Sequence, residues 1–152
     1  MKSQSEFVWG DMHKTFGIKD DKIYLDRKGA YLVLIRGEKM GIVETTKDYF
    51  LLGGGIDGDE TDNQCIVREC IEETGYQVEI KERVCFAETY CKYPTIGNFH
   101  PIQVYYSGQL VKKVKDPVEL DYVFRWVEYE NIKGKMYLEM QNWAIEQVWN
   151  MR

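Results

Sequence analysis

The chain has 152 residues, 44% of them hydrophobic and 30% charged, which suits one soluble globular domain spanning 1–152 with a core of its own. Its formal net charge of −5 argues against a long nucleic acid as the main partner. No apolar run approaches the roughly 20 residues of a membrane span, and the first residues, MKSQSEFVWGD, lack the apolar stretch of a secretory signal, so a cytoplasmic protein without membrane contact is expected.

Up to about Arg27 the chain reads as irregular or edge structure with Phe7, Trp9 and Phe16 as apolar anchors. Ala30 to Ile35 is a short continuous apolar run, the pattern of a strand covered on both faces. Gly37-Glu38 then turns the chain. Ile42 to Thr45 and Tyr49 to Leu52 are short strand candidates, the second ended by the glycines at 53–55.

A helix with marked ends follows. Thr61 and Gln64 fit a capping box at its start and Gly75 the left-handed position past its end. Ile66, Val67, Cys70 and Ile71 share one arc, expected to face the core, while Glu69, Glu72 and Glu73 fall on another. These acids stand at i, i+3 and i+4, where like charges repel by roughly 0.2–0.5 kcal/mol per pair, and no lysine stands four residues away to compensate. They also crowd the negative end of the helix dipole, disfavoured by roughly 0.3–1 kcal/mol each. A bound cation would offset both costs. Clustered carboxylates are hard oxygen ligands, which select Mg²⁺ or Mn²⁺ over thiophilic metals.

Downstream, Val78 to Ile80, Val84 to Tyr90, Ile102 to Tyr106 and Tyr122 to Trp126 are rich in β-branched and aromatic residues, as strands are. Leu138, Ile145, Val148 and Trp149 fall on one face of a second amphipathic helix, so a mixed sheet covered by helices is expected. Cys65, Cys70, Cys85 and Cys91 show no metal-binding spacing and read as reduced, mostly buried thiols. His13 and His100 stand apart in sequence and read as surface or hydrogen-bonded side chains.

From Gly54 to Tyr76 the chain reads Gly54, five residues, Glu60, seven residues, then Arg68-Glu69-Cys70-Ile71-Glu72-Glu73-Thr74-Gly75-Tyr76. This resembles the Nudix box, G-x5-E-x7-R-E-U-x-E-E-x-G-U, with every fixed position filled and Cys70 and Tyr76 as softer fits at the two bulky aliphatic positions. Two departures are Leu52, where proline is common in the family, and Asp59, where glycine is common.

The resemblance to the Nudix hydrolases (MutT-like) implies an α/β fold: an α/β/α sandwich with a mixed β-sheet and a catalytic loop–helix–loop. It implies hydrolysis of a nucleoside diphosphate linked to another group, with Mg²⁺ or Mn²⁺ as cofactor and a small nucleotide as substrate. Carried over residue by residue, Glu69, Glu72 and Glu73 match the metal ligands, and Glu60 matches a supporting or outer-shell ligand. Arg68 matches the residue that orients Glu72, and Gly53 or Gly54 offers a carbonyl to the metal. Glu69 matches the water-activating base of some members; Glu119 and Asp121 are the candidates for an acid outside the box.

Arg27, Tyr93, Gly54 and Gly55 are expected at the substrate, and Lys28, Tyr90, Phe99 and Tyr105 are further candidates for phosphate contact or base stacking. Tyr93 lies at a distance past the box resembling the tyrosine of dinucleoside polyphosphate hydrolases, whereas Pro94 lies slightly too far for the proline of ADP-ribose hydrolases. Nucleoside triphosphates, oxidised ones included, and dinucleoside polyphosphates are the main substrate alternatives; ADP-ribose or another nucleotide sugar follows. A nucleotide sensor without turnover would be signalled by loss of a box glutamate, and none is lost. An isoprenoid diphosphate isomerase needs a catalytic cysteine and a second metal site, for which Cys85 and Cys91 give no clear sign. Monomer and homodimer are both compatible with the resemblance.

Overall fold

In the computed structural model, which describes residues 12–118 and 121–152, the apolar run from Ala30 lies within a longer strand, β2 (Leu25–Arg36). A strand apolar at consecutive positions must be covered on both faces, and this one is. Ala30, Leu32 and Leu34 pack with Cys65, Ile66 and Cys70 of helix α1 (Asp62–Thr74). Val33, on the opposite face, belongs to a second cluster with Met140, Ala144 and Ile145 of helix α3 (Glu139–Asn150). Helix, mixed sheet and helix form the expected sandwich.

The sheet also contains β1 (Met12–Phe16), β3 (Lys39–Glu44), β4 (Tyr49–Phe50), β5 (Leu52–Gly55), β6 (Tyr76–Thr89), β7 (Cys91–Tyr93), β8 (Gly97–Lys113) and β9 (Val123–Glu128). Its order is β1-β6-β8-β2-β3-β4, with β5 against β2, β7 against β8 and β9 against β3. The pairs β1–β6 and β2–β8 are parallel and the rest antiparallel. A single helical turn, α2 (Tyr129–Ile132), follows β9.

Several expectations are refined. The segment before Arg27 includes a true edge strand, β1, ending at Phe16; Phe7 and Trp9 lie outside the described residues. The two strand candidates between Val78 and Tyr90 merge into β6, whose pairing with β8 slips between Ile80 and Arg83 and again before Cys85. The three glycines do not end a strand; they form most of one. Gly53, Gly54 and Gly55 pair with Tyr31, Ala30 and Gly29 of β2. Glycine's weak strand preference is overridden because neighbouring groups leave no room for side chains. A Cβ on Gly53 would lie 2.3 Å from the Ala30 carbonyl oxygen, and the backbone there has a φ of +135°.

Helix α1 starts and stops as its sequence dictates. The Thr61 side chain accepts from the Gln64 N–H at 3.2 Å while the Gln64 side chain accepts from the Thr61 N–H at 2.9 Å. Gly75, at φ +78°, closes the helix with its N–H on the Ile71 carbonyl. The buried arc differs from expectation: Cys65 joins Ile66 and Cys70, whereas Val67 is 36% exposed and Ile71 half-buried. In the last turn Glu73 is also buried, its carboxylate accepting the Gly53 N–H of β5. At the other end of the chain, Ile145 and Val148 pack as expected, joined by Met140, Gln141 and Ala144, while Leu138 is the residue just ahead of α3. All four cysteines are free thiols, three of them buried.

Candidate active site

Where the last two turns of α1 meet β5 and β2, a cleft of about 480 Å³ opens. Helical spacing brings Glu69, Glu72 and Glu73 to it, and β5 brings Gly53, Gly54 and Gly55. Each glycine makes room for something. A Cβ on Gly54 would meet the Glu69 carboxylate at 2.6 Å, and one on Gly55 would meet the Arg27 guanidinium at 2.5 Å. The flat glycine strand therefore lets one carboxylate and one guanidinium lie against bare backbone.

The three acids differ in setting. Glu73 is only 5% exposed and accepts the Gly53 N–H at 3.0 Å. Glu69 and Glu72 are held by Arg68, whose Nη1 donates to Glu69 at 2.9 Å and to Glu72 at 3.4 Å. The i, i+4 contact expected between Arg68 and Glu72 is thus present, but the strongest grip of Arg68 is on Glu60. Its Nε and Nη2 donate to the two oxygens of Glu60 at 2.6 and 2.9 Å, a bidentate pair, and Nη2 also reaches the Gly55 carbonyl at 3.2 Å.

Glu60 further accepts the Asp57 N–H at 2.8 Å. The Arg68 hydrogen bond, then the Asp57 N–H, hold its carboxyl at about 2, far below the ordinary value of 4.5. Arg68 is raised correspondingly, chiefly by Glu60. Neither residue lines the cleft. Glu60 stands behind Arg68 as its anchor, and Arg68 stands behind Glu69 and Glu72.

Of the substrate candidates, Arg27, Tyr93 and Phe99 line the cleft. Lys28 does not; it pairs with Asp62 at 3.1 Å at the start of α1. Tyr105 is fully buried and cannot stack on a ligand. Tyr90 stacks on His100 with ring centroids 4.2 Å apart and donates to Glu88. Glu119 lies outside the described residues, and Asp121 is exposed.

His13 and His100, remote in sequence, meet through Glu88, which lies 2.6 Å from His13 Nε2 and 2.8 Å from His100 Nε2. Sequence reasoning passed over Pro101 and Gln103, which line the cleft with Phe99. Their signal was strand alternation: residues 99, 101 and 103 of β8 share one face.

Among the described residues, no three acidic, histidine or cysteine side chains converge as a ready-made metal cage. The donor chemistry nevertheless fits a hard cation, since three carboxylates and a bare glycine backbone share the cleft. The nearest thiol does not compete. Cys65 donates to the Gly54 carbonyl at 3.3 Å, and burial pushes its pKa up to about 11, so it stays protonated. Tyr31, on the cleft wall, is likewise kept neutral by burial and then by the charge of Glu73.

A family model described as the NUDIX domain matches residues 23–147. The fold is similar to that of a NUDIX hydrolase from Nitrosomonas europaea, with a TM-score of 0.73 and 18% identity over 84% of this chain and 90% of that one. It is also similar to a MutT NUDIX hydrolase from Burkholderia pseudomallei, with a TM-score of 0.66 and 18% identity over 82% and 98% of the two chains. An ADP-ribose pyrophosphatase from Streptococcus suis gives 0.56 and 18% over 80% and 86%. At these identities the likeness is one of fold. No curated protein matches the chain.

Proposed function

Because this chain belongs to the NUDIX hydrolase family, we propose that it cleaves a diphosphate bond in a nucleoside diphosphate derivative by attack of water on phosphorus. The carrying observation is the meeting of Glu69, Glu72 and Glu73 with the glycine strand and Arg27 on one cleft. In this reading the three glutamates, with the carbonyl of Gly53, would hold Mg²⁺ or Mn²⁺. When bound, such an ion neutralises phosphate oxygens and lowers the pKa of a coordinated water.

The chain's own groups supply the rest. Arg27, whose guanidinium lies against the bare backbone of Gly55, offers positive charge to a phosphate oxygen in the cleft. Arg68 fixes the orientation of Glu69 and Glu72 through hydrogen bonds anchored on Glu60. Glu69 is the proposed base: as the water oxygen bonds to phosphorus, one proton passes to a Glu69 carboxylate oxygen and the bridging oxygen leaves with the P–O electron pair. Glu119 is the proposed alternative base from outside the box. Tyr93 and Phe99 provide apolar wall for the nucleoside.

The proposed substrates are nucleoside triphosphates, oxidised ones included, and dinucleoside polyphosphates, with the cytoplasm as the proposed compartment. ADP-ribose or another nucleotide sugar is the second reading, suggested by the similar fold of the Streptococcus suis ADP-ribose pyrophosphatase. The test is turnover of a panel of such compounds with Mg²⁺, identifying products by mass. Cleavage inside the diphosphate bridge is expected; release of inorganic phosphate alone from every compound would overturn the proposal.

A further inference from the structure

We propose that Gln103 reads the base of the nucleotide, selecting a ring with a carbonyl oxygen over one with an amino group at the same position. The inference rests on the reading that the cleft holds a nucleotide, and it begins from a chain of hydrogen bonds whose direction is forced.

The Leu51 backbone N–H donates to Gln141 Oε1 at 2.9 Å. A backbone N–H can only donate, so the oxygen of Gln141 must face Leu51 and its NH₂ group must face away. That NH₂ group donates to Gln103 Oε1 at 3.0 Å. The Tyr105 hydroxyl donates to the same oxygen at 2.8 Å. An amide oxygen has two lone pairs, and both are now used.

Gln141 and Tyr105 are fully buried and Gln103 is 5% exposed, so turning over the Gln103 amide would set NH₂ against NH₂ away from water. What Gln103 presents to the cleft it lines is therefore a fixed donor, its own NH₂.

Position decides what the donor meets. Gln103 is the register partner of Gly29, and Gly29 of Gly55, so two strand spacings, about 10 Å, separate Gln103 from the glycine strand beside Arg27. That span suits a base whose phosphates lie at the glycine end. The cleft wall contributed by Leu51, Phe99 and Leu138 is apolar. An uncharged donor in such a wall matches an uncharged acceptor, the ring carbonyl of hypoxanthine, guanine or uracil. An amino group there would face another donor.

Calorimetric titration of the full chain with inosine, adenosine, uridine and cytidine monophosphates tests this, because within each ring size the pair exchanges a carbonyl for an amino group. Inosine and uridine monophosphates are expected to bind roughly 10- to 100-fold more tightly than their amino counterparts. Gln103→Glu, which would put an acceptor on the cleft, should reverse the order. Gln103→Leu should level it, and it keeps the test decisive if the glutamate variant fails to fold by circular dichroism.

Equal affinities in the unaltered protein, survival of the preference in the folded Gln103 variants, or no binding of any monophosphate would each overturn the proposal. Hydrolysis of the matching triphosphates is measured separately. Binding that follows the expected order without turnover of any nucleotide supports the role of Gln103 and removes the proposed reaction instead.

Discussion

Gly54 and Glu69 occupy the same space in turn: a Cβ on Gly54 would stand 2.6 Å from both Cδ and Oε1 of the Glu69 carboxyl group. The Glu69 carboxylate rests against Gly54 because nothing projects from that residue. In Gly54→Ala the flexible end of Glu69 yields rather than the backbone. Since a displacement near 1 Å costs about a hundredfold in rate, turnover is expected to fall by about that factor with little change in thermal midpoint. Unchanged turnover in the alanine variant would show that the position of the Glu69 carboxylate does not matter.

Gly53→Ala should do the opposite. Its Cβ would meet the Ala30 carbonyl oxygen at 2.3 Å and Tyr31 Cα at 2.7 Å, both backbone, at a φ of +135° that L-residues rarely adopt. Strain of this kind costs about 1–3 kcal/mol before the clash is counted. A clear loss of stability in urea unfolding is expected, larger than for Gly54→Ala; equal midpoints for the two variants would contradict the backbone geometry of β5.

The Glu60–Arg68 pair makes stability depend on pH in a definite direction. The folded carboxyl titrates at about 2 against an ordinary 4.5, so its contribution is fully present above about pH 4.5 and is lost as pH falls through about 2. Glu60→Gln should therefore be less stable than the unaltered protein at neutral pH, with the gap closing between about pH 4.5 and about pH 2. Denaturant midpoints of both proteins across that range provide the measurement. A gap constant across the window would rule out the depressed carboxyl.

Glu72→Gln and Glu73→Gln are expected to keep the fold, because the glutamine at 73 retains an oxygen for the Gly53 N–H, now accepted at 3.0 Å. Each should lower turnover by at least roughly a hundredfold, and excess chelator should abolish it in the unaltered protein. Full activity with all divalent cations removed would exclude the proposed role of the three acids, whatever the variants do.

The legibility of the chain follows the range of the interactions involved. Helix α1 could be read from its own residues, since Thr61, Gln64 and Gly75 act within one turn of where they stand. The strand at Ala30–Ile35 announced its double burial by composition alone. The glycine strand misled because its reason lies elsewhere in sequence, in the Ala30 carbonyl, the Glu69 carboxylate and the Arg27 guanidinium. Tyr105 and Phe99 were indistinguishable as aromatic strand residues; only the fold buries Tyr105 completely and leaves an edge of the largely buried Phe99 on the cleft wall. His13 and His100 looked unrelated until parallel pairing of β1 with β6 and antiparallel pairing of β6 with β8 set both beside Glu88.

Sequence alone determined the helix with its ends, the three clustered acids and the arginine able to reach them, because backbone periodicity and capping are local. Only the tertiary structure decided which acid is buried, that Arg68 leans chiefly on Glu60, and that Gln103 faces the cleft with its amide turned one way. Each of these depends on hydrogen bonds between groups brought together by packing, and no pattern of neighbours along the chain encodes the direction of a hydrogen bond.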